Sequence, residues 1–276
     1  MAIGKKGYYF TLTAVVLLGL LILYMGTGST KETAHAKLAG ERLEEIDTFI
    51  TSTQADASVA LYVATYRSLM TLEEQLLTTQ DYIDDPQEKL EELIINGTLE
   101  GEEQALLAAS SMQDWKTNIA LLARHLRITL NLTDIQVSIT QQDPWHVTTT
   151  INARMTINDT LTQATWDLPL HAKSHTPISN LYDPVYTIGS RQRYLQQITP
   201  APQGTSIAQE IQEHLYIAST LSPSYLDRLQ GNFKPSPNGI QSLIDVPALA
   251  AVGVTNEGSI IDWHYLEKTN TTTCPL

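Results

Sequence analysis

Residues 8–25 read YYFTLTAVVLLGLLILYM, an uncharged run that is apolar on every side of a helix. At about 1.5 Å per residue it makes a helix of about 27 Å, close to the roughly 30 Å hydrocarbon thickness of a bilayer. The pattern predicts a transmembrane helix over 8–25, with Tyr8, Tyr9 and Tyr24 at its two ends, where an amphipathic ring favours the interface. Gly26-Thr27-Gly28 then breaks the apolar pattern as a hinge, and Ser29 with Glu32 three residues on forms a capping-box pattern. Beyond it Leu43, Ile46, Ile50, Thr53, Ala57, Ala60 and Ala64 recur at spacings of three and four. Val59, Tyr62, Val63, Tyr66 and Leu69 widen the stripe, so a long helix to about Gln80 is expected. Asp85-Pro86 reads as an N-cap with proline at the first helical position, opening a helix that closes near Asn96-Gly97. A third helical stretch follows from about Glu102, with Trp115, Ile119, Leu122 and Leu126 on one face.

The period then changes from helical to alternating. Ile135, Val137 and Ile139 share one face; Val147, Thr149, Ile151, Ala153, Met155 and Ile157 form a second run; Ala164, Trp166, Leu168, Leu170 and Ala172 form a third. Joined by Gln142-Asp143-Pro144 and Asn158-Asp159, they read as an antiparallel meander with one buried and one wet face. The wet face of the second strand, Thr148, Thr150, Asn152, Arg154, Thr156 and Asn158, is what any solvated sheet presents. After His175 the pattern weakens. Residues 178–188 read as an extended segment interrupted at Asp183-Pro184, and Pro200 to Gly204 as a linker. A helix capped at Thr205 or Ser206 runs through His214 to Thr220, and a short one capped at Ser222-Pro223 ends near Gly231. Ser259 to Leu266 reads as a late strand able to join the sheet.

The expected fold is therefore α+β: an N-terminal transmembrane helix continuing into a long helical stalk, then helices packed on an antiparallel β-sheet. Its divisions are a basic cytoplasmic leader (1–7), the transmembrane helix (8–25), a helical stalk region (26–130) and an extracytoplasmic α+β head (131–276).

Charge sets the direction. Lys5 and Lys6 precede the apolar run and all thirty acidic residues follow it, so the positive-inside rule places the short N-terminus in the cytoplasm and the bulk of the chain outside the cell. The formal net charge is −13 for 276 residues. Such an acidic chain repels nucleic acid, which excludes that class of partner. The lipid bilayer is the partner implied by the apolar run. A cleaved secretory signal is the rival reading, with Gly26-Thr27-Gly28 or Ala34-His35-Ala36 as small-residue sites, but its apolar core normally spans only about 7–15 residues. Both readings export the chain.

The stretch Lys5-Lys6-Gly7-Tyr8-Tyr9-Phe10-Thr11-Leu12, leading straight into the apolar run, resembles the class III signal peptide of archaeal type IV pilins and pilin-like cell-surface proteins. The resemblance covers about a tenth of the chain. It implies cleavage between Gly7 and Tyr8 by a prepilin peptidase, with that enzyme and like subunits as partners. The segments DIQVSITQQDPWHVTTTI, ISNLYDPVY and GIQSLIDVPAL resemble uncharacterised archaeal surface proteins of the same type. Leu12 departs from the pattern: many pilins carry a glutamate there that neutralises the amino terminus of a neighbouring subunit, and a buried unpaired ammonium is costly. An ordinary uncleaved signal anchor is the alternative.

Candidate chemistry is sparse. Four sequons, at Asn96, Asn131, Asn158 and Asn270, are formally competent N-glycosylation acceptors. The single cysteine, Cys274, cannot form an internal disulfide; an intermolecular disulfide and an incidental free thiol are its two readings. His171 and His175, four apart, would converge on a helix but flank the end of a predicted strand. Asp85, Asp143 and Asp183 each precede proline, where turn initiation explains them. No nucleophile elbow, phosphate loop or dinucleotide fingerprint is present. No catalytic residue, cofactor or metal ligand is assigned, and the chain is expected not to be an enzyme. Three functions remain: a membrane-anchored pilin-like structural or interaction protein, a monomeric extracytoplasmic binding module with a pocket lined by aromatics such as Trp145, Trp166 and Tyr182, and a surface hydrolase.

Overall fold

A computed structural model describes residues 6–189, 191–193 and 195–242. The chain divides between Thr53 and Gln54 into two compact units. The first helix, α1, spans Lys6–Thr79.

In the first unit the side chains of Val15, Val16, Leu17, Leu18, Leu20, Leu21 and Ile22 are exposed. Short-range ion pairs follow on the same helix, Lys37 with Glu41 at 3.9 Å and Arg42 with Glu45 at 2.5 Å. No helix among the described residues is long and apolar enough to cross a membrane. This corrects the expected transmembrane helix at 8–25. The apolar run is not a helix of its own but one part of a 74-residue helix that carries on into charged positions. Nor does Gly26-Thr27-Gly28 act as a hinge, since all three residues are helical. A glycine inside a helix costs only about 1 kcal/mol relative to alanine, too little to interrupt the hydrogen bonding of a helix extending on both sides.

The second unit is α+β. Over residues 54–79, α1 buries Ala57, Leu61, Ala64, Ser68, Leu72 and Leu76, a stripe at spacings of three and four. Val59 and Tyr62, expected to widen the stripe, are exposed, and Tyr62 stacks instead on Tyr66, with ring centroids 6.4 Å apart. Helix α2 (Pro86–Asn96) is bounded as its sequence signals require. The Asp85 carboxylate accepts from Glu88 N–H at 3.1 Å, and Gly97 ends the helix at φ +74°, a conformation favoured by glycine.

A helix was expected from about Glu102, but the chain first forms a small hairpin of β1 (Thr98–Leu99) and β2 (Glu102–Glu103). Its two turn residues, Glu100 and Gly101, lie at φ +54° and +83°, as a tight two-residue hairpin turn requires. The Glu92 carboxylate holds the turn, accepting from Thr98 Oγ1 (2.7 Å), Glu100 N–H (3.0 Å) and Gly101 N–H (2.8 Å). After a 3₁₀ turn (Ala105–Leu107), α3 (Met112–His125) starts at a reciprocal capping box between Ser111 and Asp114. Trp115 on α3 donates its indole N–H to Asp56 on α1 at 2.7 Å.

The three expected strands form one antiparallel sheet in the order β3 (Ile128–Asp143), β4 (His146–Asp159), β5 (Thr165–Pro177). Its core side carries Leu132, Ile139, Val147, Ile151, Met155, Ile157, Leu170 and Ala172, all buried. Leu130 and Leu132 stand at even positions while Ile135, Val137 and Ile139 stand at odd ones, so a regular strand would send them to opposite faces. A bulge between Thr133 and Gln136 resets the register, with Asp134 at φ +53°. The extra residue keeps both groups on the core side. Thr65 of α1 reaches the sheet with a 3.2 Å bond from its hydroxyl to Thr149.

The remaining elements are short: α4 (Pro184–Gly189), α5 (Ile207–Gln212), β6 (Tyr216–Ala218), α6 (Tyr225–Leu229) and β7 (Ile240–Ser242), with β6 and β7 paired antiparallel. Two expectations change here. Residues 184–189 are helical because the Asp183 carboxylate accepts from Val185 N–H at 2.9 Å with proline at the first helical position. The helix expected to run through His214 stops at Gln212; His214 lies at φ +54°, which ends helical continuation and sends Tyr216 into a strand. The late strand expected at 259–266 lies outside the described residues.

Candidate functional site

Two places in the second unit gather polar groups. The first is buried and centres on Asp183. Its Oδ2 takes Arg228 Nη1 at 2.6 Å and the Tyr216 hydroxyl at 2.9 Å, and both charged side chains are wholly excluded from solvent. The Arg228 guanidinium also donates to Ile240 O, and Tyr186 and Ser242 bond through their hydroxyls. Asp183 thereby closes α4, α6, β6 and the start of β7 into one unit. Burial, the Asp183 carboxylate and Tyr186 push the Tyr216 phenol well above its usual range, against the opposing pull of Arg228. Burial likewise raises Tyr225, with Glu73 and Asp183 adding to it. The Tyr225 hydroxyl has no hydrogen-bond partner among the described residues. Glu73 sits nearby on α1; burial raises its carboxyl above the ordinary value, although Tyr182 N–H donates to it at 2.5 Å. A charge pair with no exposed surface offers a substrate nothing to touch, so its chemistry is that of a lock.

The second place is open. A groove of about 430 Å³ lies between α2 and β3, lined by Asp85, Glu88 and Glu91 on one side and by Val137, Ser138, Ile139 and Thr140 on the other. Glu88 and Glu91 are exposed, and neither has an ion-pair partner among the described residues; Lys89 between them turns to Glu100 at 2.9 Å. The groove is thus negatively charged along its helical wall. A further hollow of about 400 Å³ is lined in part by Asn96, Gly97 and Asp114.

The residues singled out from sequence are scattered. Gly7 and Tyr8 lie in the first turns of α1. Asn96 is exposed at the end of α2. Asn131 and Asn158 are both exposed on the wet face of the sheet, and Thr129, two residues from Asn131, stands directly opposite Asn158. The Asn158 side-chain oxygen accepts from Thr165 Oγ1 at 2.8 Å. Asn270 and Cys274 lie outside the described residues. His171 and His175 do not converge: four residues apart on β5, about 13 Å along a strand, they bond separately to Asn152 (2.7 Å) and Thr148 (3.2 Å). Trp145 and Trp166 stand at opposite ends of the sheet, so no single aromatic pocket includes both. Asp143 does serve a turn, accepting from Trp145 N–H at 2.8 Å and bonding His146 Nδ1 at 2.9 Å. Burial opposes ionisation there, but these bonds bring its carboxyl below the ordinary value.

Sequence reasoning missed both gatherings. The Asp183–Arg228 pair spans 45 residues and leaves no local trace. The groove had a partial signal, since Glu88 and Glu91 one turn apart on a capped helix predict an acidic face, but not what that face meets. No family model matches the chain, and neither a curated protein nor a solved structure matches it.

Proposed function

We propose that this chain is a pilin-like cell-surface protein with a structural or interaction role, working on the outer side of the cell. The observation that carries the reading is the leader-like segment Lys5 to Leu12 running directly into the apolar run. The acidic composition suits an exported chain kept soluble and separate by its own charge. A second unit built as a lock around a buried ion pair, with an open charged groove on its surface, suits contact with a macromolecule.

Mass spectrometry of the mature N-terminus, from cells that make the protein, tests this reading. Processing by a prepilin peptidase leaves Tyr8 as the first residue. An end at Met1 or Ala2 removes the pilin-like assignment.

The acidic groove favours a second reading, a monomeric extracytoplasmic module that captures a partner. Electron microscopy of the cell surface separates the two: filaments carrying this chain support the first, and dispersed monomers the second.

A further inference from the structure

Successive residues of a strand point to opposite faces, yet four in a row on β3, Val137, Ser138, Ile139 and Thr140, line the groove. Val137 and Ile139 stand opposite Ile151 and Thr149, and Ser138 and Thr140 opposite Thr150 and Thr148. A groove that meets both sets meets the edge of the strand, not a face. Among the described residues β3 pairs only with β4 in its sheet. At Gln141 the other edge already takes a donor from outside the sheet, since Gln141 O accepts Asn238 Nδ2 at 2.6 Å. Backbone groups of one antiparallel strand alternate in direction, and the register is regular from Gln136 to Gln141. The outward groups along the groove are therefore those of Val137 and Ile139.

We propose that this edge is a docking site for an extended basic segment of a partner protein, which adds a strand beside β3 and lays its Lys or Arg side chains against Glu88 and Glu91. The backbone supplies the pairing, as in other strand-addition complexes, and the helix supplies the charge preference. The repeats match: Glu88 and Glu91 are one turn apart, about 5–6 Å between Cβ atoms, and alternate side chains of a strand are about 7 Å apart. A second copy of this chain is the poorer occupant, because two-fold pairing of β3 with β3 would bring two acidic helices together against the repulsion of two chains of net charge −13. The inference goes beyond the surface reading and does not depend on it.

The test uses the full chain and three synthetic probes: Ac-KVKVKVK-NH2, the same peptide N-methylated at alternate residues, and Ac-EVEVEVE-NH2. Hydrogen exchange and titration calorimetry at low salt read the outcome. The amides of Val137 and Ile139 exchange freely in the free chain and become protected when the lysine peptide binds. The N-methylated peptide, with the same charge but half its pairing groups blocked, loses at least tenfold in affinity, and the glutamate peptide does not bind. Glu88→Gln with Glu91→Gln weakens the lysine peptide about fivefold to tenfold, the loss of two exposed charge pairs, with the circular dichroism unchanged. Val137 and Ile139 amides already protected in the free chain, equal binding of the N-methylated peptide, protection elsewhere, or no binding of the lysine peptide would each overturn the proposal.

Discussion

Replacing Arg228 by methionine keeps the length and apolar volume of the side chain but removes the guanidinium. Arg228 Nη1 lies 2.6 Å from Asp183 Oδ2, and neither side chain is exposed. Without it the carboxylate keeps two donors, Tyr216 OH at 2.9 Å and Val185 N–H at 2.9 Å, in a site with no access to water. Breaking one side of a buried pair costs about 3–5 kcal/mol, because an uncompensated buried charge remains. That is a large part of the roughly 5–15 kcal/mol that holds a typical domain folded. Removing both charges, with Asp183→Asn added, leaves no such charge, so the double variant should recover about 2 kcal/mol or more relative to the summed single losses. Urea unfolding at pH 7, followed by far-ultraviolet circular dichroism, measures all four proteins. Arg154→Met is the control: losing its exposed bidentate pair with Asp167, Nε to Oδ1 and Nη2 to Oδ2, should leave stability unchanged. A loss below about 1 kcal/mol for Arg228→Met, or strictly additive single losses, would refute the role of the pair as a lock.

Tyr225→Phe removes a buried hydroxyl that has no hydrogen-bond partner among the described residues; the variant should match or exceed the parent in stability by up to about 1 kcal/mol, and a clear loss in urea unfolding would reveal a bond to that hydroxyl. Gly239→Ala would drive a Cβ into the Ser219 and Ser222 carbonyl oxygens, so a loss of about 3 kcal/mol is expected, and a thermal midpoint equal to the parent's would contradict the close approach. Glu92→Gln keeps one acceptor oxygen but turns an amide donor on the hairpin turn, costing about 1 kcal/mol at neutral pH. Burial acts to raise the Glu92 carboxyl, but its three donors and Lys89 bring it below the ordinary value. Its contribution is therefore present above the unfolded carboxylate range and lost as pH falls through the depressed folded value, so the gap between parent and variant should close on acidification. A gap that persists there would sink the assignment.

Much of the second unit could be read from residue order because its signals are local. Asp85-Pro86 and Asn96-Gly97 bound α2 through capping and glycine geometry, and strict alternation from Val147 to Ile157 placed β4 and hence the meander. Where a turn or a long-range partner decides the outcome, the pattern misleads. Glu100-Gly101 makes a hairpin out of residues with helical propensity because Glu92, eight or more positions back, satisfies the turn. Tyr216 belongs to a strand because β7 lies beside it, which no window around His214 reveals. At the N-terminus a run of apolar residues suggested a separate element, but helix continuity is settled by backbone hydrogen bonding, and glycine lowers propensity without stopping a helix extended on both sides. Of the candidate sites, the sequons were legible as motifs, and three of their asparagines, Asn96, Asn131 and Asn158, are exposed. The groove was legible only in its acidic wall, since it arises where a helix meets the edge of a strand some fifty residues later.

The export of the acidic unit is tested most directly by labelling intact cells with a membrane-impermeant amine reagent and mapping the modified lysines. Lys173 on the wet face of β5 and Lys234 after α6 are both exposed in the folded unit. An outward-facing protein is labelled at both before lysis; labelling of either only after the cells are broken would place the unit on the inner side and contradict the proposal.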